Sequence, residues 1–185
     1  ARAQIVISVL PTMAELWLLP RLAGFAHLGA VEIRLAEDPV NFVADGIDLR
    51  VTYDATPYPD YRVVPLFCDR IVPVCAPKFL ADLSGGQDTR IDEMPDSAFI
   101  HTDWGSDYAS QPSWSAWMAA ARFSRFLDPA KGLQLRQTSL VVTAARHGLG
   151  VALVPERIAG LLISDGSLIR LHDLALPMRS EYVLV

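Results

Sequence analysis

Residues 5–22 read IVISVLPTMAELWLLPRL. The first six, Ile5-Val6-Ile7-Ser8-Val9-Leu10, have the branched, apolar character of a strand and stop at Pro11. From Thr12 the spacing turns helical and very apolar, with Trp17, Leu18 and Leu19 in a row and Pro20 behind them. A strand that hands directly to a helix opens a βαβ unit, so this stretch decides the fold class. Thr12 stands at the junction and is a candidate for two roles. It can cap the helix, or it can present a hydroxyl to a small ligand held at the strand end.

The same alternation recurs outward from there. The spacing predicts a helix over Thr12–Leu28, a strictly alternating strand over Val31–Leu35, and a turn-rich or helical connector over Asp38–Ala44. A third strand follows at Asp48–Tyr53, then the loop ATPYPDYR and a long strand from Val63 to Cys75. Pro77 marks a new regime. PKFLADL reads as a short helix and SGGQDTRIDEMPDS as polar turns, after which Ala98–His101 is a strand running into TDWGSDYASQPS. Ser113–Phe126 reads as a helix capped by Ser113, Leu133–Arg136 as a strand, and Ser139–His147 as a helix. Val151–Val154 is a strand, Glu156–Leu162 a helix, Leu168–Leu171 a short strand, and Arg179–Val185 alternates again.

The α/β pattern therefore occurs twice. The expectation is an α/β fold of two lobes joined by two crossing strands, with residues 1–75 and 176–185 in one and 76–175 in the other. A small-molecule cleft between the two lobes is the expected site, because ligands collect at strand ends and domain boundaries.

Composition narrows the class. The chain has 185 residues, 51% hydrophobic and 20% charged, with a formal net charge of −5. That is long enough to bury a real core. The acidic balance and scattered arginines exclude a nucleic-acid-gripping surface on this chain, which needs a basic patch. No apolar run reaches the ~18 residues of a membrane span, and ARAQIVISV lacks the pattern of an export signal. Cys68 and Cys75, in LFCDRIVPVC, lie too far apart along an extended segment to bridge, and read as small buried hydrophobes in a reducing compartment. The cytoplasm is the expected location.

Catalytic patterns are missing. His27, His101, His147 and His172 have no partners at metal-ligand spacing, so neither a metal nor any cofactor is expected. No serine sits in a nucleophile elbow, and HGLGVALV lacks the third glycine of a dinucleotide fingerprint. Gly148 reads instead as a helix C-cap. Asp103 and Asp107 can be pictured as an acid/base pair, but solvating or capping a loop is the plainer reading. Nothing here forms a catalytic constellation, so the chain is not expected to be an enzyme.

SVLPTMAELWLLPRLAGF, VEIRL, DGIDLRVTYD and VVPLFCDRIVPVCAPKFL, followed by SWSAWMAAA, TSLVVTAARHGLGVALVPERIA and DGSLIRL, resemble the effector-binding domain of LysR-type transcriptional regulators. The resemblance is to the branch that includes the glycine-cleavage and β-lactamase regulators, and it spans nearly the whole chain. It implies a fold like the type 2 periplasmic solute-binding proteins, with two Rossmann-like subdomains, and a small-molecule effector bound between them. It also implies a winged helix-turn-helix ahead of this region and a further strand and helix behind it. The expectation is thus a regulatory-domain fragment that meets DNA only through the missing N-terminal domain.

By position in the family, Thr12 begins a helix whose N-terminus faces the cleft. Asn41 matches a cleft-lining polar position, and His101 and Thr102 lie at the end of the second lobe's first strand. Thr138 and Ser139 open the next helix, and Tyr182 matches an aromatic that reaches toward the pocket. Each has a plain structural alternative: a turn for Asn41, an N-cap for Thr138 and Ser139, a satisfied buried ring for His101, strand packing for Tyr182. The family dimerises through helices matching Thr12–Leu28 and Ser139–His147 and assembles further to tetramers. On the helix at Thr12–Leu28, Leu18, Leu22 and Phe25 are expected to meet the sheet, while Trp17, Leu19 and Leu28 are left over as apolar surface. A free solute-binding protein of the same fold is the alternative reading.

Overall fold

The computed structural model describes residues 4–22, 24–25, 29–84, 90–103 and 112–185. The chain divides into two units, Ala1–Asp69 with Ser180–Val185, and Arg70–Arg179. Both divisions fall inside strands, β4 (Val64–Cys75) and β9 (Leu176–Leu184).

In the first unit, β1 (Gln4–Val9) lies between β2 (Ala30–Leu35) and β3 (Leu49–Tyr53), parallel to both, with Ile7 facing Ile33 on one side and Leu49 on the other. β9 then pairs antiparallel with β3, Val51 against Leu184. The interior position of β3 explains its burial: Arg50, Val51, Thr52 and Tyr53 are all buried. Val6, Phe42, Ile47, Tyr58, Val183 and Val185 form a core on this sheet.

The helix after β1 departs from the simple expectation. It begins as α1 (Pro11–Met13), widens into a π-helical stretch (Ala14–Leu18) and tightens again as α2 (Leu19–Leu22). Leu19 N–H donates to the Ala14 carbonyl, five residues back. Pro20 has no N–H to give, and its ring crowds the carbonyl four residues earlier, so a wide turn just ahead of it accommodates the ring. That turn also delays every later side chain around the helix. Met13 and Ala14, which precede and open the wide turn, are buried, whereas Phe25 beyond it, expected to pack inward, is half exposed. The expected end of this helix, with His27 and Leu28, lies outside the described residues.

In the second unit the strand order is β4-β7-β5-β6, with β8 (Ile169–Arg170) on the other side of β4. β4 and β7 (Val151–Pro155) run antiparallel, Val72 against Val154. β7, β5 (Phe99–Thr102) and β6 (Leu133–Leu135) run parallel. α3 (Pro77–Ser84) starts on a proline, whose missing N–H costs nothing in a first turn. α5 (Thr138–Arg146) packs on β5 and β7 through Val141, Val142, Ala144 and Ala145. α4 (Trp114–Ala120) buries Trp114, Trp117 and Met118.

Two helices differ from the spacing-based reading. α4 ends at Ala120 rather than Phe126, because Arg122 adopts φ 62° and closes a Schellman turn: Phe123 N–H donates to Met118 O and Arg122 N–H to Ala119 O. α5 ends in the same motif with Gly148 at φ 73° in that place, as its sequence foretold. The helix expected at Glu156–Leu162 forms only at α6 (Gly160–Ser164). Glu156 N–H is engaged by the Arg70 carbonyl, which prolongs the β4–β7 ladder and delays the helix. The cysteines are unbridged. Cys75 is buried, and burial pushes its thiol up to about 12, but Cys68 is exposed rather than buried, since it points outward from β4.

Candidate functional site

The candidate residues fall into two sets, one in each unit. His101 and Thr102 end β5, where chain direction and sheet order place strand ends next to the loops that follow them. A small pocket of about 50 Å³ opens there. His101, Thr102 and Ser113 supply its polar groups, while Ile100, Trp114, Leu153 and Pro112 supply its apolar walls. Ser113 is the N-cap of α4 and accepts from Ala116 N–H at 3.2 Å. The Trp114 indole donates to the Ile100 carbonyl at 2.8 Å, which fixes the ring against β5.

His101 is held unusually. Its Nε2 is buried without a hydrogen-bond partner. Gly132, just before β6, lies against the ring so closely that an added Cβ would sit 2.8 Å from His101 Cδ2 and 2.4 Å from the Phe99 carbonyl. Burial lowers the His101 pKa below its ordinary value, with Asp96 and Asp128 pulling partly the other way. Asp103, next along the chain, pairs with Arg136 at 3.2 Å. Asp107 lies outside the described residues. His147 is an exposed C-cap of α5, and His172 accepts from Leu174 N–H while its ring packs edge-on to Trp117. His172 is thus held by its packing, and His147 closes α5 through its backbone N–H.

Thr138 and Ser139 form the first turn of α5 and are half buried. Gln137, not either of them, is the N-cap residue, and it makes no side-chain capping bond. The plain capping alternative for these two hydroxyls is therefore set aside.

Thr12, Asn41 and Tyr182 belong to the first unit. Thr12 is half buried in the first turn of α1, where the N-cap is Leu10 and no side chain caps the helix. The capping role offered for Thr12 is likewise absent. Asn41 is exposed and closes a turn: its Oδ1 accepts from Ala44 N–H at 2.9 Å, and its own N–H donates to Asp45 Oδ2 at 3.1 Å. Tyr182 is buried in a row of rings, packed on Tyr53 at 5.3 Å and on Phe67 at 5.0 Å, and Phe67 continues to Trp17 at 5.3 Å. Trp17, expected as free apolar surface, is thus half covered.

One cluster in the first unit escaped the sequence reading. Arg50 is fully buried on β3. Its Nε donates to Asp38 Oδ1 at 3.0 Å and its Nη1 to Ser8 Oγ at 3.0 Å. Nη2 also lies 3.0 Å from Asp38 Oδ1, but out of line for a hydrogen bond. Thr52 and Tyr58 donate their hydroxyl protons to the same carboxylate, and Val40 N–H donates to the Tyr58 oxygen at 3.0 Å. Burial, then the bond to Asp38, raises the Tyr58 pKa. The connector after β2, with its cis Asp38–Pro39 bond, is fastened to the sheet this way. The signal was present: an arginine in the middle of an otherwise buried strand needs an acid, and Asp38 stands in the connector. Ser113 and Trp114 were the other omissions, because a cap and a core ring give no hint in sequence of which pocket they line.

Among the described residues no group of three or more His, Cys, Asp or Glu could hold a metal, and no helix is long and apolar enough to cross a membrane.

The sequence profile of the LysR substrate binding domain matches residues 1–185. The glycine cleavage system transcriptional activator of Escherichia coli is 27% identical over 189 residues, taking in 100% of this chain and 59% of that protein. The HTH-type transcriptional activator AmpR of Providencia stuartii is 27% identical over 177 residues, covering 93% of this chain and 56% of that one. The chain thus spans a little under three-fifths of these relatives. Among solved structures, the effector domain of the regulator AmpR of Pseudomonas aeruginosa superimposes with a TM-score of 0.75 at 20% identity, over 99% of this chain and 84% of that chain. The regulatory domain of CrgA, a LysR-type regulator from Neisseria meningitidis, does so with a TM-score of 0.70 at 14% identity, over 100% and 88%. Both likenesses establish the periplasmic-binding-protein-like α/β fold that the family resemblance implied. With the family profile spanning its whole length, the chain belongs to the LysR substrate-binding domain family, the effector-binding part of LysR-type transcriptional regulators.

Proposed function

We propose that this chain is the effector-sensing regulatory domain of a bacterial LysR-type transcription factor acting in the cytoplasm. The observation that carries this reading is the family match over residues 1–185. The two units serve as the two regulatory subdomains, and neither carries a reaction. A small-molecule effector is bound by Thr12, Asn41 and Tyr182 from one unit and His101, Thr102, Thr138 and Ser139 from the other. The freed hydroxyls of Thr12, Thr138 and Ser139 support this assignment, since none of them is engaged in capping a helix. Binding favours one conformation of the domain by its difference in affinity for the two states. Homodimers or homotetramers form through the helices at Thr12–Leu28 and Ser139–His147, where Leu19 and Leu140 stand about half exposed. DNA is met through an N-terminal domain outside this sequence.

The test is made on the full-length native protein. Its N-terminal sequence is expected to hold a helix-turn-helix, and its promoter output is expected to change with a small molecule and to lose that change in Thr12→Val. A native chain that begins near Ala1 behind a cleaved export signal would instead make it a free solute-binding protein. Sedimentation tests the assembly: Trp17→Lys is expected to lower the association state, and an unchanged monomer at high concentration removes that part of the proposal.

A further inference from the structure

We infer that the pocket at the end of β5 accepts a small uncharged part of the effector, such as a primary amide, hydroxyl or branched methyl group, and rejects a carboxylate or an ammonium. This rests on the reading of the chain as an effector-binding domain, and it names the chemistry of one part of that site.

Size comes first. About 50 Å³ is room for roughly three or four water-sized groups, since one such group takes ~10–15 Å³ by the same measure. The occupant is therefore a fragment of three or four heavy atoms. Charge follows from the lining. None of the described residues that line the pocket carries a formal charge. Among the described residues lining the pocket, a carboxylate would find hydroxyl donors from Thr102 and Ser113 but no cation, and an ammonium would find no carboxylate. Burying an unpaired charge costs far more than burying an amide or hydroxyl that can be hydrogen-bonded. The nearby charges at the strand ends, Asp103 and Arg136, already neutralise each other.

Among the described lining residues His101 is the one side chain that could supply a positive charge, and its seat opposes that. An imidazolium carries an N–H on both nitrogens, and the Nε2 side is buried against Gly132 with no acceptor. A Cβ at position 132 would collide with the ring, so the glycine is what admits His101 to this seat. The lowered pKa of His101, caused chiefly by burial, agrees with a ring that stays neutral. The capped Ser113 hydroxyl accepts from Ala116 N–H and keeps its own proton to donate, while the Trp114 indole proton is already committed to Ile100 O. The pocket thus offers hydroxyls, a neutral imidazole and apolar walls.

The experiment is a titration of the 185-residue chain, methyl-labelled at Ile and Leu and nitrogen-labelled at Trp, followed by NMR near neutral pH at constant ionic strength. Four probes of like size are compared: acetamide, isopropanol, acetate and methylammonium. Acetamide and isopropanol are expected to shift the Ile100 and Leu153 methyl signals and the Trp114 indole signal saturably. Their Kd should be at least about tenfold lower than those of the two ions. Thr102→Val, which removes a hydroxyl at nearly constant volume, is expected to weaken acetamide by about threefold or more. Should that variant not fold, the ranking on the wild-type chain decides alone. Acetate or methylammonium binding as tightly as acetamide overturns the inference, and so does the absence of any shift at these three residues. Neither result touches the regulatory reading, which fails separately if the native full-length protein lacks a DNA-binding segment.

Discussion

In the unit of residues 1–69 and 180–185, the guanidinium of Arg50 lies wholly out of solvent, bound to Asp38 and Ser8. Between Arg70 and Arg179 the large side chains out of solvent include Trp117, Phe99, Ile71, Met94, Met118 and Ile100, and the pairs Arg125–Asp96 and Arg170–Glu156 stay partly exposed. Every described polar or charged residue that is buried, namely Ser8, Arg50, Thr52 and Asp69, belongs to the first unit. The two units carry related α/β topologies, but the first adds a buried polar cluster around Arg50 to its apolar core. A buried ion pair demands its partners, because an unpaired charge cannot find water, whereas an apolar core loses only what a cavity removes.

The largest effect should therefore come from Asp38→Ala. It strands Arg50 and removes the acceptor for Thr52 and Tyr58, and it is expected to cost about 3–5 kcal/mol. Hydrogen exchange should show lost protection in β1 and β3, with β5 and β7 little changed. The double variant Asp38→Ala with Arg50→Met should recover much of that loss, since a well-packed apolar replacement of a buried pair is tolerated better than half a pair. Loss spread evenly over both units would break the comparison, by making them one cooperative body.

Met118→Ala is the counterpart in the second unit. Met118 is 1% exposed, and its truncation is expected to cost about 2–4 kcal/mol, with the lost protection centred on α4 and β5. Removing a second side chain beside it should deepen the loss rather than relieve it, because a cavity leaves no stranded charge to remove. Ser113→Ala sharpens the picture further. It deletes the one side-chain cap of α4 and should cost about 1 kcal/mol in thermal unfolding, a loss that Ser113→Asp largely avoids. Equal destabilisation by Ala and Asp would mean that Ser113 acts through the pocket wall rather than as a cap.

What sequence could convey follows the same division. Alternation and helical spacing are local, so β1, β3, α3 and the Gly148 turn were legible, and the order of family motifs carried the fold as a whole. Arg122 was not legible, because glycine is the usual residue at that conformation and nothing local marks an arginine there. The π-turn was half legible: Pro20 announced a disturbance, but not that the helix would widen ahead of it instead of bending. Arg50 with Asp38 needed a contact across 12 positions, through a connector whose conformation the sequence does not state. The pocket at β5 joins residues from β5, β7 and the start of α4. His101 and Thr102 came from family position, and Ser113 and Trp114 only from their place in space.

The smallest effect distinguishes how the two units hold their outer carboxylates. Asp54 sits at φ 74°, a conformation that Asp and Asn tolerate better than most residues. Burial alone would raise its pKa, but hydrogen bonds from Thr56 N–H, the Thr56 hydroxyl and the Ser180 hydroxyl outweigh it and leave the value below the ordinary 3.8. A depressed folded pKa contributes stability that is fully present above the unfolded value and is lost as pH falls through the folded one. Asp54→Asn keeps the backbone preference and one acceptor oxygen while removing the charge. The gap between wild type and variant should hold steady from neutrality to about pH 5, then close on further acidification below 3.8. Asp96 in the second unit is lowered chiefly by its bond to Arg125, a contact between two charges near the surface. Its effect should shrink in molar salt, because ions screen a charge pair far more than they disturb bonds from neutral hydroxyl and amide donors. Urea midpoints of Asp54→Asn and Asp96→Asn, measured at low and high salt across this pH range, separate the two cases. If both gaps fade together in salt, Asp54 is held by charge as Asp96 is, and the contrast between the units stops at their interiors.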